Sequence, residues 1–245
     1  MTEQAPAPDP FSGPGQAAAQ RRGLLVGFIR LFVTTVGWGA ALFASAGTLA
    51  WTAAWGYLAI MTAGLAVYLA IISRRPDLMA ERRNPPADAK QWDRPLVAIV
   101  GIIGPIALLL VCGLDRRFAW SPWLSPWWEA AGLALAGAGL ALSNWAVASN
   151  RFFSSVVRIQ RDRGHHVVDT GPYRFVRHPG YLASLVHMPG VAVALGSLWG
   201  LLVATVVDLV LVLRTALEDR TLAAELEGYA EYAGRVRYRL VPGLW

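Results

Sequence analysis

Charged residues are scarce in this chain: Asp, Glu, Lys and Arg together make up only 16% of its 245 residues. A soluble globular domain carries about 25%. Hydrophobic residues make up 55%, and the mean hydropathy is +0.41, a surplus that a single buried core does not explain. Cysteine is almost absent as well, and Cys112 alone excludes an internal disulfide and a cysteine-rich metal site. The composition therefore predicts an integral membrane protein.

The common nucleotide-binding motifs are also missing. No Gly-x-Gly-x-x-Gly follows a predicted strand and there is no P-loop, so a soluble-type dinucleotide-binding domain is excluded. His165, His166 and His178 have no cysteine or pair of carboxylates nearby, and adjacent histidines project in different directions. We therefore predict no metal site. Any nucleotide-like cofactor must be bound by the membrane fold itself.

Six apolar segments predict an all-α integral membrane protein with about six transmembrane helices. They cover roughly residues 23–45, 52–73, 95–113, 126–148, 180–196 and 199–216. Most of them reach the ~20 residues that cross a ~30 Å hydrocarbon core. The last two are shorter and predict a tight C-terminal helical hairpin over 180–216, which we expect to be tilted or not fully spanning.

These segments divide the chain into three parts. Residues 1–20, rich in Pro, Ala and Gly, predict a disordered tail; no basic residue precedes Arg21, so we do not expect a signal peptide. Residues 21–148 predict a four-helix transmembrane scaffold, in which Gly132, Gly137 and Gly139 suit close helix packing. Residues 149–245 contain the unusual polar chemistry and predict a catalytic region.

The basic residues predict the orientation in the membrane. With the N-terminus in the cytoplasm, all of the 22 Lys and Arg residues fall on that side except Arg116 and Arg117, which lie outside, and Arg30, which lies within the first span. Both termini and the segment 149–179 are therefore expected in the cytoplasm. The net charge of +6 then reflects topology and contact with anionic membrane lipids, and needs no nucleic acid.

A polar insertion of about thirty residues, from Asn150 to Pro179, separates the fourth and fifth predicted spans. Its last part, 171–181, reads Gly-Pro-Tyr-Arg-Phe-Val-Arg-His-Pro-Gly-Tyr. A plain loop between packed helices would be shorter. Apolar residues alternate with Arg and His here, which favours a pocket for an amphiphilic cofactor, although a solvated basic loop that touches lipid headgroups stays an alternative.

Three other polar positions stand out near or within the last spans. Glu218 either faces this predicted pocket or simply begins a solvated helix. Asp208 lies at mid-depth in the sixth span, where an ionisable residue is usually functional, and we expect it to pair with Arg30. His187, in the fifth span, predicts a hydrogen bond between helices.

Three elements together carry a resemblance: 171–181, the acidic pair Glu218 and Asp219, and the ending with Tyr229, Tyr232 and 235–245 (Arg-Val-Arg-Tyr-Arg-Leu-Val-Pro-Gly-Leu-Trp). In combination they resemble the isoprenylcysteine carboxyl methyltransferase family, which is related to membrane phospholipid methyltransferases. The resemblance covers about residues 150–245. It implies S-adenosylmethionine as cofactor, bound in a cytoplasm-facing pocket, and a lipophilic or prenylcysteine-like substrate that enters from the bilayer. The oligomeric state is not implied.

The resemblance also implies roles for individual residues. The family's Arg-His-Pro-x-Tyr falls on 177–181, and Arg177 is expected to be catalytic by holding one oxygen of a substrate carboxylate. Asp219 stands where a second Glu is usual, which leaves its role open. The cofactor-binding residues that the resemblance implies are Gln160, His166, Val168, Gly171, Tyr173, His178, Pro179, Tyr181 and Glu218.

Three other functions remain open at this point. The acceptor could be a phospholipid or another amine in place of a carboxylate. Membrane sterol reductases share a similar Arg-His-Pro-x-Tyr region and use NADPH, but this chain is short for that group. A non-enzymatic lipid-binding protein with a decayed site would look much the same.

Overall fold

The computed structural model of the protein describes residues 14–83, 89–122 and 125–245, and this part of the chain folds into helices without strands. The α-helices are α1 (Pro14–Ala46), α2 (Thr52–Ser73), α3 (Pro76–Arg83), α4 (Asp93–Ala98), α5 (Gly104–Phe118), α6 (Pro126–Ser149), α7 (Pro179–Ala194), α8 (Leu198–Glu225) and α9 (Tyr229–Arg235). A π-helical turn, Ile99–Ile103, joins α4 to α5. The predicted all-α class is confirmed.

Among the described residues, five helical segments are long and apolar enough to cross a membrane. They are Val26–Ala46, Thr52–Ser73, Asp93–Phe118, Pro126–Ser149 and Leu198–Glu225. Each of them contains one of the predicted spans or most of it. Together with the many large apolar side chains left exposed on their surfaces, they describe an integral membrane protein.

The predicted hairpin needs correction at its second arm only. Helix α7 has 16 residues, about 24 Å at 1.5 Å per residue, which is shorter than a ~30 Å core, as expected for this arm. Helix α8 does not end near residue 216 but has 28 residues, about 42 Å. Its last turns therefore extend beyond the hydrocarbon, and they bring Glu218 and Asp219 to the polar end of the helix.

The N-terminal tail was also predicted too long. Residues 14–20 form the first turns of α1, because a run of three alanines followed by Gln and Arg favours helix. Residues 1–13 lie outside the described residues. The predicted pairing of Arg30 with Asp208 also lies outside them, since the Arg30 side chain is not described.

Small residues bring α6 and α7 into close contact. A Cβ atom added at Gly139 would lie 2.7 Å from the Ala183 carbonyl oxygen, and one added at Gly190 would lie 2.7 Å from the Ala136 nitrogen. Gly132 meets the backbone of Ala194 as closely, whereas Gly137 has only an ordinary side-chain neighbour. Close packing was thus predicted correctly for Gly132 and Gly139. It fixes α7, which carries one wall of the candidate site, against the spanning helix α6.

Candidate functional site

A cavity of about 810 Å³, counting its open mouth, lies where the segment 150–178 meets α7, α8 and α9. The long insertion after α6 therefore does form a pocket wall. Its chain is held by two short 3₁₀ turns, Arg161–Arg163 and Gly171–Arg174.

Eight of the ten predicted site residues line this cavity: Gln160, His166, Val168, Tyr173, Arg177, His178, Tyr181 and Glu218. The structure thus brings together residues that are up to 58 positions apart in the sequence. Their roles stay predictions. Lining residues that were not predicted to bind the cofactor include Phe152, Arg158, His165 and Leu222. Of these, His165 was considered only as a metal ligand, and Phe152 belongs to an aromatic pair, Phe152-Phe153, within a polar insertion, which was a signal in the sequence.

Gly171 and Pro179 do not lie among the residues that line the cavity. Gly171 has a positive φ of 60°, and a Cβ atom added there would collide with the Ser149 side chain at the end of α6. Pro179 is the first residue of α7, where the missing N–H costs nothing because that group has no helical acceptor. Both residues shape the backbone of the cavity wall.

Asp219 is the centre of a buried polar cluster, which we call the Asp219 cluster: Arg177, His178, Asp219, Tyr229 and Arg239. Its carboxylate accepts hydrogen bonds from Arg177 Nε at 2.8 Å and Nη2 at 3.0 Å, and from Arg239 Nε at 2.8 Å. It also accepts from the Tyr229 hydroxyl at 2.8 Å and His178 Nε2 at 3.1 Å. One carboxylate thus joins α8 to the start of α7, to α9 and to the chain after α9.

The guanidinium of Arg177 is largely occupied by these contacts. Besides its two bonds to Asp219, its Nη1 donates to the carbonyl oxygens of Val236 and Arg237, each at 2.9 Å. Four of its five N–H groups therefore have protein acceptors, and the residue is only 8% exposed. The backbone N–H groups of Arg177 and His178 also donate to the carbonyls of Tyr238 and Arg239. Arg177 therefore fixes the C-terminal segment against the cavity. The Nε–Nη2 edge of its guanidinium faces Asp219.

Glu218, the neighbour of Asp219, faces the cavity instead. It accepts a short hydrogen bond from the Tyr181 hydroxyl, and the Arg214 guanidinium lies 5.1 Å from the centre of the Tyr181 ring. Arg214 is in turn held by Asp93 through two hydrogen bonds of 2.6 and 3.0 Å. Asp93 is fully buried and also accepts from the Val157 N–H at 2.7 Å. The buried Asp93–Arg214 pair thus supports both Tyr181 and the cavity wall at Val157.

A second buried pair holds the opposite wall. Arg158 donates to Glu81 of α3 at 2.7 and 3.1 Å, and both side chains are 4% exposed. Burial opposes ionisation of Glu81, but the hydrogen bonds from Arg158 and Ser154 outweigh it and lower the pKa of this carboxyl. Glu81 is therefore ionised at neutral pH and neutralises Arg158.

Two further groups in the wall have shifted pKa values. Burial first, and then the neighbouring His166, Arg158 and Arg163, lower the pKa of His165 to about 4. The imidazole is therefore neutral, in agreement with its Nδ1 accepting from the Gln160 N–H at 3.2 Å. Burial, and then the charge of Asp219, raise the pKa of the Tyr229 phenol, which keeps its hydroxyl a donor.

The fold and the cavity define a class of protein: a helical integral membrane protein with a ligand-sized cavity at the polar end of its last long helix. Within that class, residues 127–226 match the family model of phospholipid methyltransferases. The matched segment holds α6, α7, α8 and most of the cavity lining, but not Tyr229, Tyr232 or the C-terminal segment. The match supports a membrane methyltransferase and confirms that expectation, without distinguishing a prenylcysteine from a phospholipid acceptor. No curated protein matches the chain.

Proposed function

We propose that this protein binds S-adenosylmethionine in the cavity around Glu218 and transfers a methyl group to a lipophilic acceptor. The observation that carries the proposal is the charge of the cavity. Glu218 is the only carboxylate among the described residues that line it. The two lining guanidinium groups already have carboxylate partners, Asp219 for Arg177 and Glu81 for Arg158. Glu218 has no ion pair among the described residues.

The lining therefore presents one carboxylate without an ion pair, which favours a ligand with positive groups. S-adenosylmethionine carries a sulfonium and an α-ammonium, and its adenine requires apolar and aromatic surface such as Val168, Tyr173 and Phe152. When bound, it supplies an electrophilic methyl group. NADPH has the opposite requirement, because its phosphates need free cations. The charge of the cavity thus favours the methyl donor over the nicotinamide cofactor.

Some residues of the cavity would contact the cofactor, and others would hold those residues in position. Glu218 would bind the ribose hydroxyls or the ammonium of the cofactor, and Tyr181, His178 and Gln160 would contact it from the other walls. We propose that Arg177 is a positioning residue rather than the anchor of a substrate carboxylate. Since its Nε and Nη2 atoms already donate to Asp219, it acts by holding His178 and the C-terminal segment in place.

For the acceptor we propose first the carboxylate of a prenylcysteine-like substrate, which rests on the resemblance of 171–181 and 235–245 to the carboxyl methyltransferases. A carboxylate is ionised at neutral pH, so the enzyme mainly needs to align it with the methyl group. An amine of a phospholipid is the second candidate, which rests on the match of residues 127–226 to the phospholipid methyltransferase model. We propose further that the cavity opens to the cytoplasm, as the distribution of Lys and Arg supports.

Calorimetric titration of the detergent-purified protein with S-adenosylhomocysteine and with NADPH tests the cofactor. We expect saturable binding of S-adenosylhomocysteine only, weakened at least about tenfold in Glu218→Gln, since a hydrogen bond to a charged group contributes about 1.5–3 kcal/mol. Glu231→Gln, an exposed residue of α9, is the matched control and should bind normally. Binding of NADPH alone would move the protein to the reductases, and binding of neither would contradict an enzymatic function.

The acceptor is tested by transfer of a labelled methyl group from S-adenosylmethionine to a prenylcysteine and to phosphatidylethanolamine. Alkali hydrolyses a methyl ester and releases labelled methanol, whereas an N-methyl group is stable. Base-labile label on the prenylcysteine would support carboxyl methylation. Base-stable label on the phospholipid would establish the second candidate instead.

A further inference from the structure

A second cavity lies within the membrane-spanning part of the molecule, separate from the first. It measures about 520 Å³, counting its openings, and is enclosed by α1, α2, α5, α7, α8 and the π-helical turn. Most of its lining is apolar. Its polar lining groups are Tyr57, Ser184, His187 and Asp208. Nothing in the methyl transfer proposed above uses this cavity.

Asp208 gives the cavity its chemical character. Its Oδ1 atom is buried and has no hydrogen-bond partner among the described residues. A buried polar atom without a partner costs about 1–3 kcal/mol, so its retention requires an explanation. The carboxyl lies on the cavity side of α8, between Val207 and Leu211, which also line the space.

His187 adds a second acceptor. Its Nδ1 lies 2.9 Å from the Ala136 carbonyl oxygen, which can only accept, so Nδ1 carries the proton. In the neutral imidazole the remaining nitrogen, Nε2, is then an acceptor. The same contact joins α7 to α6 and confirms the predicted hydrogen bond between helices. Asp208 and His187 therefore both offer lone pairs to the cavity.

Two aromatic side chains, Trp38 and Tyr57, complete the wall. Aromatic faces attract cations, and more strongly when the site is desolvated. The helix opposite Asp208 departs from α-geometry at the π-helical turn, which contributes Val100 to the lining. Pro105 explains this turn, since it cannot donate to the carbonyl four residues earlier. Such turns occur frequently at functional sites.

From these observations we infer that the second cavity binds the protonated amine of a lipophilic molecule, with the ammonium group donating to Asp208 and His187. An ammonium offers three N–H donors and a positive charge, and it satisfies both acceptors at once. An alkyl chain suits the apolar remainder of the cavity and can enter from the bilayer.

The ligand of this cavity is distinct from the methyl acceptor. Asp208 and Glu218 are ten positions apart on one continuous helix, which separates their Cα atoms by about 15 Å. An amine bound at Asp208 therefore cannot lie beside Glu218. The inference does not depend on the proposed methyltransferase activity, and its test measures binding alone.

The test compares dodecylammonium with dodecanol, which has the same chain and no charge, by calorimetry in a nonionic detergent with a protein-free micelle blank. We expect dodecylammonium to bind at least about tenfold more tightly. Dodecyltrimethylammonium keeps the charge but has no N–H donors, and should lose most of this gain. Equal binding of the amine and the alcohol by the unmodified protein would overturn the inference. Equal binding is also the result expected if Asp208 forms an ion pair with Arg30.

Two variants locate the site. In Asp208→Asn, which keeps the shape of the side chain, the amine and the alcohol should bind alike. In Glu218→Gln, which removes the carboxylate of the first cavity, the preference for the amine should be unchanged. The reverse pattern would show that the amine binds in the first cavity, and would refute the inference. If Asp208→Asn does not fold, Glu218→Gln still decides, because a preference for the amine that persists in this variant cannot come from the first cavity, and its loss would refute the inference.

Discussion

Replacement of Arg177 by alanine separates the two roles that this residue could have. If Arg177 held the substrate carboxylate, as the resemblance implied, Arg177→Ala would abolish turnover and leave folding and cofactor affinity nearly intact. If it positions the C-terminal segment, as its contacts indicate, the same change should lower stability and weaken binding of S-adenosylhomocysteine together. We expect the second result.

The magnitude follows from the contacts that are lost. Arg177→Ala removes two charge-assisted hydrogen bonds to Asp219 and two bonds to backbone carbonyls. Removing one partner of a buried ion pair costs about 3–5 kcal/mol. Asp219 keeps Arg239, Tyr229 and His178 as donors, so its carboxylate is not left alone. We therefore expect about 3 kcal/mol, which corresponds to a decrease of roughly 150-fold in the folding equilibrium constant.

Chemical unfolding in detergent gives the stability, and limited proteolysis reports whether residues after α9 are released. Arg174→Ala is the matched control, because Arg174 lies three positions earlier and is exposed, with its guanidinium 4.7 Å from the centre of the Phe175 ring. It removes the same charge and should change stability by less than about 0.5 kcal/mol. An Arg177→Ala protein with normal stability, a protected C-terminal segment and unchanged S-adenosylhomocysteine affinity would refute the positioning role.

Three further predictions concern other parts of the structure. Asp93→Asn should cost about 3 kcal/mol or more, and combining it with Arg214→Gln should cost less than the sum of the two, as a double-mutant cycle would measure. Because the folded protein keeps His165 neutral with a pKa of about 4, stability should fall as the pH decreases from about 6.5 towards 4; His165→Gln should flatten this slope, and an unchanged slope would exclude His165 as its source. An impermeant maleimide applied to intact spheroplasts should label a cysteine at Trp127, 84% exposed, and not one at Thr170; the opposite pattern would invert the proposed orientation.

The spanning helices could be predicted from the sequence because the bilayer imposes a length and a composition that are visible residue by residue. The C-terminal end of α8 could not be predicted in this way, since the mean hydropathy falls where charged residues begin although the helix continues. Arg214, Glu218 and Asp219 interrupt the apolar run, yet the helix continues to Glu225 because each of these charges has a neighbouring polar or aromatic group. Helix α7 was expected to be short because its apolar run has fewer residues than the other spans, but its close packing against α6 could not be predicted from that length.

The residues that line the cavity were largely predictable, but their connections were not. A motif indicates which side chains are unusual, and eight of the ten predicted residues do line the cavity. The ion pair between Arg177 and Asp219 joins two segments that are 42 positions apart, and no local sequence pattern indicates it. The same holds for Asp93 and Arg214, which are 121 positions apart. Neither buried pair could be assigned before the helices were placed relative to each other.

The pairs Asp93–Arg214 and Glu81–Arg158 also bear on the predicted division of the chain at residue 148. Asp93 and Glu81 belong to the part described as a scaffold, yet their partners Arg214 and Arg158 hold the walls of the cavity. Both acidic residues precede the segment 127–226 that matches the family model. A chain restricted to that segment would leave Arg214 without its buried carboxylate and Arg158 with only the exposed Asp162, and breaking a buried pair costs several kcal/mol. The first half of the chain is therefore part of the site's physical support, and the cavity is a property of the whole fold.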